Sequence, residues 1–144
     1  MNTNIEFSFY ELLLLSFLRE SHPELAEKKR FIKGRATQAA EAYAKAFNDG
    51  LDTLECREIA NNTLYAGLHF SRHDTIVNIL WTEFSASVKA DYADECAIYL
   101  RPSLDPIFKK YTLSDDFAYT AEYQSLYTEL VGAIQLKQEE DGKL

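Results

Sequence analysis

Apolar side chains recur at every third or fourth position along most of this chain, and few residues interrupt that spacing. Leucine and alanine number 18 and 16, whereas there are only 8 isoleucines and 3 valines. The 5 glycines and 3 prolines are too few to break the long segments often. Because leucine and alanine favour helices and β-branched residues favour strands, the pattern predicts an all-α protein.

Cap residues and chain breakers divide the apolar segments into about six or seven helices. We expect Ser8, Asp52 and Asp74 to cap three of them. The remaining predicted starts are Glu24, Asp91, Asp105-Pro106 and Thr120, and the predicted stops are Pro23, Asn48-Asp49-Gly50 and Arg101-Pro102. This order predicts an orthogonal or irregular bundle forming a single compact domain over residues 1–144, frayed at 1–7 and 140–144.

The length and charge of the chain are those of a soluble protein. A chain of 144 residues buries roughly two thirds of its unfolded surface, so it can form a core without disulfides or a metal. The net charge is −8, and no apolar run approaches the roughly 20 residues needed to span a bilayer. We therefore expect no membrane association.

The cysteines and the amino-terminal residues predict a cytoplasmic location. Cys56 and Cys96 lie far apart without a Cys-x-x-Cys spacing, which indicates reduced, mostly buried thiols. The first basic residue, Arg19, follows the apolar Leu12–Leu15 segment, whereas a secretory signal carries its basic residues first.

Two histidines with metal-ligand spacing form one candidate site. His69 and His73 are four residues apart, and Asp74 could add a third ligand to zinc. Position 70 is phenylalanine, where a metalloprotease motif has its glutamate base. The alternative is a pair of histidines at a helix junction, with the two imidazoles turned apart.

A basic cluster forms a second candidate site, for nucleic acid or another anion. Five positive charges fall within eight positions of a chain that is acidic overall, at Lys28, Lys29, Arg30, Lys33 and Arg35. Such a patch can bind phosphates locally. A solvated helix face with Glu24 and Glu27 as ion-pair partners explains the same residues.

Tyrosines recur at every fourth position near the carboxyl end, at Tyr119, Tyr123 and Tyr127. Rings at this spacing favour packing against a core, with the hydroxyl groups bonded to partners or water. A protein interface or base stacking are the alternatives.

Templates for catalysis and nucleotide binding are missing from the sequence. There is no Gly-x-Ser-x-Gly elbow, and the glycines are too isolated to form a phosphate loop. The acidic clusters, Asp115-Asp116 and Glu139-Glu140-Asp141, fit a turn and a solvated tail. We therefore expect no catalytic residue and no cofactor.

Five segments resemble one family across nearly the whole chain, namely residues 8–12, 18–23, 64–71, 79–84 and 122–130. The chain resembles a family of small, uncharacterised Bacteroidetes proteins classed as a domain of unknown function. The resemblance implies a helical, cytoplasmic single domain and transfers no activity. Such families are associated with mobile genetic elements, which favours a nucleic-acid role among the alternatives.

The sequence thus favours a non-enzymatic protein-interaction or regulatory module that self-associates or binds a protein partner. The alternative function is accessory nucleic-acid binding through the basic cluster. A third is a metal-dependent enzyme at His69, His73 and Asp74.

Overall fold

The protein is all-α, as its composition predicts. The structure is a computed structural model that describes residues 3–142, with side chains from residue 7 onward. Six α-helices occur in this range, at Thr3–Ser21 (α1), Lys29–Asn48 (α2), Thr53–Leu64 (α3), Arg72–Glu83 (α4), Ala93–Phe108 (α5) and Glu122–Asp141 (α6). Short 3₁₀ helices at Pro23–Leu25, Ala90–Tyr92 and Phe117–Tyr119 lie between them, and residues 3–142 contain no strand.

The helices form two compact units, Met1–Leu68 and His69–Leu144. The first unit contains α1 to α3 and the second contains α4 to α6. The expectation of one domain over residues 1–144 stays a prediction. No helix in residues 3–142 combines the length and the apolar character needed to cross a membrane.

Of the segments in which we expect fraying, residues 3–7 and 140–141 are helical, and Gly142 follows the end of α6. Residues 1, 2, 143 and 144 of those segments lie outside the described part of the chain.

Small side chains dominate the contact region of α2 and α3 in the first unit. Its buried core combines α1 residues such as Leu14 and Leu18 with alanines of the next two helices, Ala36, Ala39, Ala40 and Ala60. Because alanine extends little from a helix, the helix axes can approach closely. The predicted inner face of α3 is buried at Cys56, Ala60 and Leu64, whereas Ile59 is 38% exposed.

Larger side chains fill the core of the second unit. Leu100, Leu104 and Phe108 of α5 pack with Leu126, Leu130 and Ile134 of α6. Phe70, Phe117 and Tyr123 form edge-to-face ring pairs beside them, with centroids 5.1 to 6.3 Å apart. Such pairs add directional attraction to the burial of apolar area.

Two helix ends predicted from the sequence are confirmed. Asp52 caps α3: its side chain accepts a hydrogen bond from the backbone N–H of Glu55, which reaches back in turn. At the end of α2, Gly50 has a φ of +92°, and the N–H of Leu51 donates to the carbonyl of Ala46. Glycine adopts this left-handed conformation without steric cost, so the helix stops there.

The predicted starts of the first, second and fourth helices are wrong. α1 begins by Thr3, and Ser8 lies inside it because no glycine or proline separates Ser8 from the preceding residues. α2 begins at Lys29 because the chain after Pro23 makes tight turns instead of a helix starting at Glu24.

Ser71, and not Asp74, caps α4. The hydroxyl of Ser71 accepts the backbone N–H of Asp74 at 2.9 Å, and Asp74 itself lies in the first turn. Both residue types suit a cap, so the sequence alone leaves the choice open.

The prediction that α5 ends at Arg101-Pro102 is also wrong, since this helix runs through both Pro102 and Pro106. Each proline removes one backbone donor and frees the carbonyl four residues earlier, that of Ile98 or Pro102. Both prolines and Ile98 are exposed, which places the freed groups on the solvent side where water can bond them. Asp105 forms an ion pair with Arg101 at 2.8 Å instead of starting a new helix.

Arg35 joins α2 to the end of α3. One nitrogen of its guanidinium, Nη1, donates to the carbonyls of Leu64 at 3.0 Å and Ala66 at 2.7 Å. The guanidinium also lies over the ring of Phe31, 5.0 Å from its centroid. The last carbonyls of a helix lack internal partners, and a cation there also opposes the negative end of the helix dipole.

A second polar contact joins the segment after α5 to α6. Lys110 donates to Glu129 at 2.6 Å, and the hydroxyl of Tyr111 donates to the other oxygen of that carboxylate. These hydrogen bonds, that of Lys110 first, lower the pKa of Glu129. The bond to Glu129, with burial as a smaller cause, raises the pKa of Tyr111 to about 12.

We predict that Arg35→Ala lowers the free energy of unfolding by about 2 kcal/mol, because it removes charge-assisted hydrogen bonds to the end of α3. Urea denaturation measures the change. Arg30→Ala is the matched control: its side chain is exposed, and we expect a change within about 0.5 kcal/mol. Equal losses in the two variants would contradict the capping role.

We predict that Lys110→Gln raises the pKa of Glu129 toward its ordinary value, as measured by NMR titration of the carboxyl carbon. In the wild type, the ionised carboxylate of Glu129 stabilises the folded state at every pH above the ordinary carboxyl pKa. This contribution is lost as the pH falls through the lower pKa that Glu129 has in the folded state. Acid unfolding of Lys110→Gln should therefore begin at a higher pH. The exposed neighbour Lys109 provides the control: an equal pKa change in Lys109→Gln would refute the specific contact.

Candidate interaction site

The predicted metal ligands His69 and His73 engage different carboxylates. His69 lies before α4 and is exposed, and its Nδ1 is 3.1 Å from an oxygen of Asp115. His73 is buried in the first turn of α4, with its Nε2 2.5 Å from an oxygen of Asp94. The third predicted ligand, Asp74, belongs to the Ser71 cap.

Within residues 3–142, no group of three or more histidine, cysteine, aspartate or glutamate residues is arranged to hold a metal ion. The His73–Asp94 contact instead links the beginnings of α4 and α5. Its aspartate is absent from the sequence motif because it comes from a different helix.

The two cysteines differ in burial. Cys56 is fully buried, whereas Cys96 is partly exposed, so the prediction of mostly buried thiols is met more closely by Cys56. Burial raises the pKa of both thiols. It is the largest of several causes for Cys56 and the single cause for Cys96. A raised pKa lowers the thiolate fraction at neutral pH, which makes both residues weak nucleophiles.

The predicted basic cluster is divided by the fold. Arg35 points to the end of α3, whereas the other four residues, Lys28, Lys29, Arg30 and Lys33, are exposed. None of these four forms an ion pair or a side-chain hydrogen bond within the described residues, so pairing with Glu24 or Glu27 does not account for them.

Lys29 and Lys33 lie one helical turn apart and border a groove between α1 and α2. This basic groove, of about 680 Å³, is lined by Glu11, Leu15, Arg19, Ala26, Glu27, Lys29, Ile32 and Lys33. It combines an apolar surface with three cationic and two anionic side chains. Arg19 was not a sequence candidate, because its place beside Lys29 depends on how α1 packs on α2.

The tyrosines near the carboxyl end take two kinds of position. Tyr123 and Tyr127 are partly buried against the core of the second unit, as the core interpretation predicts. The hydroxyl of Tyr127 donates to Glu83 at 3.1 Å. Tyr119, by contrast, is 91% exposed.

A second groove, bordered by exposed tyrosines, lies in the second unit. This aromatic groove, of about 510 Å³, is lined by Ser87, Val88, Lys89, Tyr92, Glu95, Cys96, Tyr99 and Asp141. Tyr92 and Tyr99 are 56% and 58% exposed, and the hydroxyl of Tyr99 donates to Asp141 at 3.0 Å. The spacing of residues 92, 95, 96 and 99 by three and four positions is a sequence signal for this shared face.

Comparisons with known proteins place the chain in a family without assigning a chemical activity. A search of curated proteins finds no match. A crystal structure of protein PG0816 from Porphyromonas gingivalis is similar, with a TM-score of 0.93 and 37% sequence identity. The match covers 99% of this chain and 97% of that chain.

The family resemblance seen in the sequence is confirmed, and Porphyromonas is a member of the Bacteroidetes. The family model described as "Domain of unknown function (DUF1896)" matches residues 2–143. The chain therefore belongs to the DUF1896 family.

Proposed function

We propose that this protein is a non-enzymatic protein-interaction module that associates with a second copy of itself through the aromatic groove. The observation that carries the proposal is the exposure of Tyr92 and Tyr99 on the rim of one groove. Tyrosine buries a large contact area with few rotatable bonds and is enriched among the residues that dominate binding energies.

The surroundings of these tyrosines suit a protein contact. Val88 and Cys96 line the groove together with the two rings and add apolar atoms to its wall. Lys89, Glu95 and Asp141 provide charged groups around it. An apolar centre with a polar rim is the usual composition of a protein interface.

Other exposed apolar side chains support an interaction role more generally. Trp81, near the 3₁₀ helix that precedes α5, is 54% exposed although its indole N–H donates to the carbonyl of Ala90. Ile98, next to Tyr99 in sequence, is 52% exposed. We propose the cytoplasm as the place of action, because Cys56 and Cys96 would stay reduced there.

We predict that the molar mass of the wild-type protein rises with concentration in light scattering. Tyr92→Ala combined with Tyr99→Ala should move the midpoint of association to a concentration roughly 10- to 30-fold higher, the effect of losing an interface residue worth about 2 kcal/mol. Circular dichroism of the variant checks that its helices persist.

Tyr119→Ala is the matched control, because Tyr119 is an exposed tyrosine of the same unit that does not line the groove. Its association should equal that of the wild type. A wild-type protein that remains monomeric at the highest soluble concentration would refute self-association, and an equal effect of Tyr119→Ala would refute the assignment to the aromatic groove.

A further inference from the structure

The basic groove has a cationic rim without internal partners. Arg19, Lys29 and Lys33 line it, and none of the three forms an ion pair or a side-chain hydrogen bond within the described residues. Leu15 and Ile32 supply apolar surface in the same groove. A complementary occupant therefore presents carboxylates next to an apolar side chain.

The end of α6 presents that combination. Glu139 and Glu140 are exposed and form no ion pair within residues 3–142. Leu136 precedes Glu140 by one helical turn and is 62% exposed. Residues four apart lie on the same side of a helix, so the leucine and a carboxylate can enter one groove together.

We infer that the basic groove of one molecule receives the acidic end of α6, residues 136–140, from a second copy of the chain. This inference rests on the proposed self-association and names the surfaces that meet. Carboxylates of the incoming helix pair with Arg19, Lys29 and Lys33, and Leu136 contacts Leu15 and Ile32.

The aromatic groove borders the same end of α6, since Asp141 lines that groove and accepts a hydrogen bond from Tyr99. Tyr92 and Tyr99 therefore lie beside the inserted segment and can contact the rim of the receiving groove. Lysine or arginine next to a tyrosine ring gains a cation–π attraction. One interface thus uses both the charged end of α6 and the exposed tyrosines.

The carboxylates of the basic groove favour this occupant over a nucleic acid. Glu11 and Glu27 line the groove together with the three cations. They would repel the closely spaced phosphates of a nucleic-acid strand, whose binding depends on replacing counterions with protein cations. The end of α6 also carries adjacent carboxylates, but it adds the exposed Leu136, which can contact the apolar side chains of the groove as a phosphate backbone cannot.

The inferred contact joins two different surfaces, so it is heterologous. Each molecule has one basic groove and one acidic helix end, which permits a complementation experiment. The groove variant is Lys29→Glu with Lys33→Glu, and the end variant is Glu139→Gln with Glu140→Gln, whose neutral amides do not attract the acidic groove of the first variant. Each variant keeps one of the two surfaces intact.

We predict that each variant alone associates at least 10-fold more weakly than the wild type in light scattering. An equimolar mixture should form a heterodimer of twice the monomer mass and nothing larger. In that complex, the intact groove of the end variant binds the intact helix end of the groove variant, and no further intact pair remains.

The control for net charge is Arg57→Glu with Lys109→Glu, which makes the same change in charge as the groove variant at two exposed positions outside both grooves. It should associate as the wild type does. The milder Lys29→Ala with Lys33→Ala repeats the test without placing new acids on α2.

The outcomes separate this inference from the proposed function. If the wild type associates but the groove variant does so as tightly as the control, the inference is wrong and self-association stands. If the wild type stays monomeric, both are wrong. If a labelled oligo(dT) strand binds the wild-type protein and the groove variant loses that binding while self-association is unaffected, the groove serves nucleic acid and the inference is overturned.

Discussion

Apolar side chains fill the interiors of both units, and the positions of all six helices and of the surface groups depend on this packing. Leucines, isoleucines, alanines and aromatic rings occupy the core of each unit. The buried polar side chains within residues 7–142 are His22, Ser71, His73 and Thr75, and each has a hydrogen-bond partner. Because these four side chains already have hydrogen-bond partners inside the fold, they are not the groups that a binding partner would contact. Recognition therefore depends on surface residues.

Helix ends are predictable from the sequence where a local signal determines a local structure. The glycine after Asn48-Asp49 and the Asp52–Glu55 pair each specify a helix end through residues within one turn. Helix ends are not predictable in this way where tertiary contacts decide between local alternatives. Pro102 and Pro106 are tolerated inside α5 because one side of that helix faces solvent while its opposite side, including Leu104, completes the core.

The candidate site was predictable only in part, for a related reason. Spacing along one helix identified Lys29 and Lys33 as neighbours, but the addition of Arg19 and the removal of Arg35 depend on how three helices pack. The two histidines shared a suitable spacing, yet their partners Asp94 and Asp115 lie far along the chain. Periodicity determines which residues share a helix face, and it does not determine what that face meets.

The chemistry of the exposed groups supports the proposed self-association. The chain belongs to a family described without an activity, and its exposed groups include a basic groove, an acidic helix end and two tyrosines beside that end. These groups complement one another in charge and polarity. An acidic protein can self-associate through them because ionic strength screens its long-range repulsion, whereas contacts at short distance persist.

The most direct measurement of surface-mediated association is a dilution series followed by amide NMR spectra of the isotope-labelled protein. The amide signals of Lys29 and Lys33 should shift with concentration together with those of Tyr92, Glu139 and Glu140, and the signals of core residues should stay fixed. Spectra independent of concentration, or shifts confined to other surfaces, would contradict the interaction surfaces inferred from the fold.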